Sequence, residues 1–276
     1  MKTVYYFIKI LRPSNVFIAF CVVFVAASIT GTIQPVENVF LAAITVAFIT
    51  AGANIINDYY DIDIDRINKP ERLLASGKIT PRAALIDFII VYLCGWLIAL
   101  LIHWSMFLVA FIVGILLYFY SYRLKRTVLW GNATVSFASA MAFVYGGMAV
   151  NRLSQSLFPA GFAFLFHFGR EVIKDMEDME GDKKAGCVTF AIKYGLKSSL
   201  YLAICIFGLL VIVTLIPYLR GIYNIYYLII VIIGVYPVLF YVIYNSWKNP
   251  EPGNLNRMSN LLKIDMLVGL LAIYVG

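Results

Sequence analysis

The sequence predicts an all-α polytopic membrane protein. It should have about nine transmembrane helices in one bundle, around a central cavity that opens to the cytoplasmic side. Three observations predict it. Hydrophobic residues fill 62% of the 276 positions and charged residues only 13%, against roughly 45–50% and about 25% in soluble domains. Apolar windows on the order of 20 residues, enough to cross a bilayer as a helix, recur from end to end. Basic residues collect at alternate ends of those windows.

The opening stretch MKTVYYFIKILRPSN has too short an apolar part, and no small-residue cleavage site, for a removable signal. It reads as an amphipathic interfacial segment. Spans then follow at 16–33, 39–59, 83–102, 104–120, 131–150, 157–175, 198–217, 223–245 and 259–275. Each is expected to be helical, because lipid offers backbone polar groups no other partner. With the N-terminus in the cytoplasm, the inner segments hold three Lys or Arg before the first span, five in 60–82 and three in 121–130. Six more lie in 170–197 and three in 245–263, leaving only Arg152 and Arg220 of the twenty-two outside. The C-terminus is then extracytoplasmic, and residues 1–276 form a single multi-pass domain of the cell membrane.

The net charge of +7 suits anionic lipid or phosphorylated substrates on the inner face. No nucleic-acid-binding module is present. Cys21, Cys94, Cys187 and Cys205 lack a pairing pattern, and His103 and His167 lack metal-ligand spacing.

Chemistry concentrates in two acidic stretches. In NDYYDIDIDR, Asn57 to Arg66, a helix at about 100° per residue brings Asn54, Asn57, Asp58, Asp61 and Asp65 within an arc of about 100°. Asp63 falls about 140° from Asp58 and points away. In REVIKDMEDMEGDKKAG, Arg170 to Gly186, the residues Asp175, Asp178 and Asp182 repeat the i, i+3, i+7 spacing, with Glu171 and Lys174 in the places of Asn54 and Asn57. Gly181 is expected to loosen the last turn of that helix. Both stretches end spans that run inward, so the two carboxylate faces can oppose each other across a cavity. Like charges at i, i+3 repel and intramembrane carboxylates are costly. Divalent cations offset both, and hard oxygen donors with open positions suit Mg²⁺ that bridges carboxylates to substrate phosphates. Ordinary solvated loop acids balanced by lysines are the plainer reading. Two clusters of identical spacing argue against it.

Cations stand close by. Lys69, Arg72, Lys125 and Lys174 are placed to hold phosphate, whereas Lys78, Arg82, Lys193 and Lys197 read as membrane anchors. A metal-bridged diphosphate beside an apolar interior implies a substrate with one polyanionic end and a greasy tail, as in a prenyl diphosphate.

These residues resemble the UbiA-type intramembrane prenyltransferases. NDYYDIDID is similar to the first acidic motif of that family and KDMEDMEGD to the second. ERLLASGKI resembles the segment after the first motif, with Leu73 and Ala75 where prolines are common, and YSYRLKR resembles the Tyr/Lys element after the fourth span. The resemblance covers the whole chain. It implies that Asn57, Asp58, Asp61, Asp65, Asp175, Asp178 and Asp182 hold Mg²⁺ against a diphosphate, with Lys125 as a catalytic cation. It also implies substrate contacts from Asn54, Asn57, Lys69, Arg72, Tyr120, Tyr122 and Lys174. Loops 66–82 and 183–197 would close over the site. Ionisation of an allylic C–O bond would be followed by attack of an acceptor.

Within the superfamily the second motif is most similar to archaeal members that make membrane ether lipids. That implies geranylgeranyl diphosphate as donor and geranylgeranylglyceryl phosphate as a lipid-like phosphorylated acceptor, met by Arg170, Lys183, Arg12 and Asn15. An aromatic acceptor is the alternative. A cation-coupled transporter is the alternative of another class, but its coupling site would lie near the midplane. The sequence leaves oligomeric state open.

Overall fold

The computed structural model describes residues 2–276, apart from the side chains of residues 2–4, 67 and 68. Among the described residues all regular structure is helical. The helices are α1 (Lys2–Ile10), α2 (Pro13–Ser28), α3 (Val36–Tyr60), α4 (Ile62–Asn68), α5 (Pro81–Ile102), α6 (Trp104–Tyr122) and α7 (Trp130–Ala149). They continue with α8 (Leu153–Glu177), α9 (Met179–Lys184), α10 (Phe190–Leu219), α11 (Ile225–Ile230), α12 (Tyr236–Lys248) and α13 (Pro252–Val275). A 3-10 turn spans Leu124–Arg126, and a π-helical turn, Val231–Val235, joins α11 to α12.

Among the described residues, six stretches are long and apolar enough to cross a membrane: α3, α5, α6, α10, Ile225–Lys248 and α13. Each of the nine expected spans falls on a helix, so three fall short of that standard. α2 is apolar but has only 16 residues. α7 is diluted by Asn132, Thr134, Ser136 and Ser139, and α8 by Arg170, Glu171, Lys174 and Asp175. Polar faces of this kind are tolerated in a membrane bundle where they meet protein or water. The chain is a multi-pass membrane protein, with lipid-facing side chains such as Leu101, Leu219 and Phe240 left exposed.

The chain divides into two compact units, residues 1–124 with 141–156, and residues 125–140 with 157–276. In the first, α3 packs on α2, α5 and α6. Small residues permit the close approach, as is usual where lipid removes the hydrophobic drive between helices. Gly52 lies against the Tyr92 ring, and a Cβ at Gly146 would stand 2.5 Å from Ala26 Cβ and 2.7 Å from the Val23 carbonyl oxygen. Buried aromatic polar atoms find backbone acceptors: Tyr92 Oη donates to Gly114 O at 3.2 Å and Tyr145 Oη to Met106 O at 3.3 Å. Starts are capped locally. Thr80 Oγ1 accepts from Ala83 N at 3.2 Å ahead of Pro81, and the His103 ring accepts from Ser105 N at 3.2 Å.

A smaller core closes the end of this unit that carries the first acidic stretch. Ile10, Ile55, Leu73, Leu74, Ile79 and Ala84 are buried together. The 69–79 loop is therefore folded onto α1, α3 and α5. Leu73 supplies buried apolar surface to this core.

In the second unit, Gly169 lets α8 meet the Phe207 ring of α10, and Gly234 of the π turn meets Val268 of α13. Pro237 accounts for the π turn: it brings no N–H and crowds the preceding turn, which widens to relieve the clash. Tyr227 Oη donates to Thr214 O at 2.8 Å, and Asn224 Nδ2 to Val275 O at 2.8 Å.

Candidate active site

The first acidic stretch is not one uninterrupted helix. α3 ends at Tyr60, and Asp61 takes φ −98°, ψ 3° before α4 begins at Ile62. Hydrogen bonding nevertheless runs through the joint, Asp61 N to Asn57 O at 3.1 Å and Asp65 N to Asp61 O at 2.7 Å. The second stretch does the same at the equivalent residue. α8 ends at Glu177, and Asp178 takes φ −84°, ψ 0° before α9. Asp178 N donates to Lys174 O and Asp182 N to Asp178 O, both at 2.9 Å. The expected uniform helix is thus corrected in both places, and the break falls at Asp178, three residues before Gly181. In each triplet the middle acid is the joint, in the sparsely populated bridge region where active-site residues are often found.

Across the break Asp58 and Asp65 still share a partner, and Asp63 points away. Arg72 Nη1 donates to Asp58 Oδ1 at 3.1 Å and to Asp65 Oδ2 at 2.7 Å. Arg12 also reaches Asp58 Oδ1. The Asp58 and Asp65 side chains are only 10% and 7% exposed, whereas Asp63 is 91% exposed and pairs outward with Arg66 at 2.9 Å. Burial pushes the Asp65 carboxyl above its usual range, against the pull of its Arg72 hydrogen bond. Burial works against the Arg72 charge, but Asp58 and Asp65 more than offset it and hold the guanidinium protonated.

The remaining candidates of the first unit have particular places. Asn54 Nδ2 donates to Leu11 O at 2.9 Å, so its amide fastens the corner between α1 and α2. Arg12 sits in that corner in the left-handed region, φ 57°, and Asn15 N closes the turn on Arg12 O at 2.9 Å. Lys69 caps α4 and is exposed. Tyr122 lies 5.5 Å from the Tyr60 ring, and Tyr60 Oη meets Tyr118 Oη at 2.8 Å. Asn57, Asp61 and Tyr120 each have interaction partners.

In the second unit, Asn132 Nδ2 donates to Asp175 Oδ2 at 2.9 Å. Asn132 is buried on α7, and sequence reasoning missed it, because a single Asn in a span carries no periodic signal. Arg170 Nη1 binds Glu171 Oε1 at 2.9 Å and its Nε donates to Ser259 O at 3.3 Å, tying α8 to α13. Arg170 is thus part of a structural pair as well as a cation. Lys125, Lys174 and Asp182 have partners of their own, and Lys183 is exposed.

Among the described residues, no three His, Cys, Asp or Glu side chains converge as a ready-made metal cage. Mg²⁺ is commonly held by one or two carboxylates together with substrate phosphates. The donors fit such an ion: two hard carboxylate oxygens from Asp58 and Asp65 already converge on one cationic nitrogen, Arg72 Nη1.

Comparison with known proteins follows the same lines. Residues 16–262 match the UbiA prenyltransferase family. The digeranylgeranylglyceryl phosphate synthase of Methanosphaera stadtmanae is 35% identical over 98% of each chain. That of Methanobrevibacter smithii is 35% identical over 98% of this chain and 97% of its own. The solved structure of a digeranylgeranylglyceryl phosphate synthase in membranes superposes with a TM-score of 0.84 at 34% identity, covering 100% of this chain and 99% of the other. A UbiA homologue from Archaeoglobus fulgidus, solved with GPP and Mg²⁺, shares the fold at a TM-score of 0.69 and 22% identity, covering 97% and 99%.

Proposed function

The chain belongs to the UbiA prenyltransferase family, and from that premise we propose that it transfers a geranylgeranyl group from geranylgeranyl diphosphate to geranylgeranylglyceryl phosphate. The product carries the second ether bond of archaeal membrane lipids. The observation that carries this reading is the pair of acid triplets with one spacing and one local conformation, in a chain alike over its whole length to synthases of that name.

Asn57, Asp58, Asp61 and Asp65, with Asp175, Asp178 and Asp182, would hold Mg²⁺ against the diphosphate. Bound there, the metal supplies Lewis-acid stabilisation of the charge that develops on the leaving group. Arg72, Lys69, Lys125 and Lys174 add fixed positive charge to the same end. The C–O bond of the allylic diphosphate breaks, leaving an allylic cation that aromatic faces stabilise. The acceptor hydroxyl oxygen forms the new C–O bond, and its proton passes to a carboxylate or to the departing diphosphate. Arg12, Asn15, Arg170 and Lys183 serve the acceptor phosphate. Asn132 orients Asp175, and Asn54 sets the α1–α2 corner that carries Arg12. The expected loop 183–197 is helical from Phe190 onward, so closure would fall to the 66–82 segment and the 185–189 connection, which would exclude water from the cation.

The positive-inside bias supports a cytoplasmic N-terminus and active site and an extracytoplasmic C-terminus, and the family match over residues 16–262 supports one functional domain over 1–276. Product analysis tests the function. Membranes given geranylgeranyl diphosphate, Mg²⁺ and a panel of acceptors should yield an ether-linked digeranylgeranylglyceryl phosphate. A C-prenylated aromatic ring with no glyceryl product would reassign the acceptor, and no prenyl transfer to any acceptor would overturn the reading.

A further inference from the structure

The membrane-anchor reading of Lys197 leaves its surroundings unexplained. α10 is broken at Gly195, which takes φ 83°, ψ 167°, a conformation open essentially to glycine alone. Directly after the break, Leu196, Lys197 and Leu200 of α10 form one wall of an open groove of about 250 Å³. Trp247 and Pro250, at the end of α12 and just beyond it, form the other. Tyr201 extends the aromatic edge, its ring 5.4 Å from Trp247 in a T-shaped pair. Both rings are about half exposed, Tyr201 at 51% and Trp247 at 46%.

The charge around the groove has one sign along a long stretch of chain. From Cys187 to Pro250 there is no Asp or Glu, while Lys193 and Lys248 lie within four residues in the chain of the groove residues Lys197 and Trp247. Glu251 follows Pro250 directly in the chain and caps the start of α13. Lys193 Nζ is held over the Tyr194 ring at 5.2 Å, which leaves Lys197 as the cation in the groove wall itself. Exposed Trp and Tyr rings at the ends of membrane-crossing helices mark the headgroup level. A volume of about 250 Å³ is below the roughly 300–1,000 Å³ of pockets that enclose a small soluble ligand.

We propose that this groove is a binding site for an anionic phospholipid of the bilayer, with the headgroup phosphate on Lys197 and the upper chain along Leu196, Leu200 and Trp247. Basic pockets between membrane helices take anionic headgroups by this combination of charge and apolar wall. None of its lining residues belongs to the acid triplets, and the binding does not depend on the reaction assigned to them.

Native mass spectrometry of the full chain in neutral detergent tests this, titrating phosphatidylglycerol against phosphatidylcholine of matched chains. One phosphatidylglycerol should be retained in preference to phosphatidylcholine. Lys197→Gln should weaken that retention about fivefold, the worth of one basic side chain near an anionic lipid. Lys78→Gln, a charge loss at an exposed residue elsewhere, should leave it unchanged. Trp247→Ala should weaken both lipids, and prenyl transfer by Lys197→Gln in lipid-free micelles should stay at the wild-type rate, a check on folding. Equal retention of the two lipids, an undiminished preference in Lys197→Gln, or an equal loss in Lys78→Gln would each overturn the proposal.

Discussion

Replacing Arg72 with alanine separates the electrostatic role of this side chain from a merely structural one. In the wild type, one guanidinium nitrogen serves two buried carboxylates, at 3.1 Å to Asp58 and 2.7 Å to Asp65. Removing one partner of a buried pair costs about 3–5 kcal/mol, because the other charge stays buried without compensation. The Arg72 side chain is 23% exposed and Arg12 still reaches Asp58, which places the cost near the lower bound, about 3 kcal/mol. At 2–4 °C per kcal/mol, the unfolding midpoint should fall by roughly 6–12 °C. Mg²⁺ should then return part of the loss. An ion at about a hundred times its Kd contributes about 2.7 kcal/mol, and without Arg72 it no longer shares the carboxylates with a resident cation. Thermal unfolding of purified protein, with and without Mg²⁺, reads both effects. Turnover per folded molecule should drop by about 10²–10³, as for loss of one transition-state donor. A midpoint within about 1 °C of wild type, or an equal Mg²⁺ shift in variant and wild type, would refute the reasoning.

Four further outcomes are expected. Asp63→Ala should keep most activity and lose at most about 1 kcal/mol, since its pair with Arg66 is exposed. Asp61→Ala or Asp178→Ala should abolish transfer, and comparable losses at Asp63 and Asp61 in the same assay would contradict the facial arrangement. Gly146→Ala should destabilise by about 1–3 kcal/mol through overpacking against Ala26 and the Val23 carbonyl. A wild-type unfolding midpoint for that variant would show that α7 can move aside. Because burial raises the Asp65 pKa, protons compete for that ligand at higher pH than for an ordinary carboxylate. The Mg²⁺ concentration for half-maximal activity should therefore climb as pH is lowered from about 8 to about 5, and a flat profile over that range would remove Asp65 from the metal set.

The spans and both acid triplets were legible because they rest on local, periodic signals. Apolar windows located the helices, and the 100° rotation per residue separated Asp63 from Asp58 and Asp65. What periodicity cannot carry is a joint. Asp61 and Asp178 break their helices with side chains identical to the other aspartates of their triplets, and the i to i−4 bonds continue through both, so no sequence signal marks them. Contacts set by tertiary packing were equally hidden. Asn132 on Asp175, Asn54 on the Leu11 carbonyl and Ser259 under Arg170 join residues 43, 43 and 89 positions apart. Leu73 was visible as a departure from proline, but its burial with Ile10 and Ile55 depends on the folded 69–79 loop.

The corner at Arg12 bears on how this chain can be handled and how it can vary. Segments ahead of a first membrane helix are commonly trimmed or replaced when a protein is prepared for expression. Here the twelfth residue neutralises an acid 46 positions later, and the carbonyl before it is fastened to Asn54. A version begun at Pro13 would keep every membrane-crossing helix, insert normally and still leave Asp58 with one counter-ion fewer. Weak activity in such a preparation would then be a fault of the cut and not of the detergent.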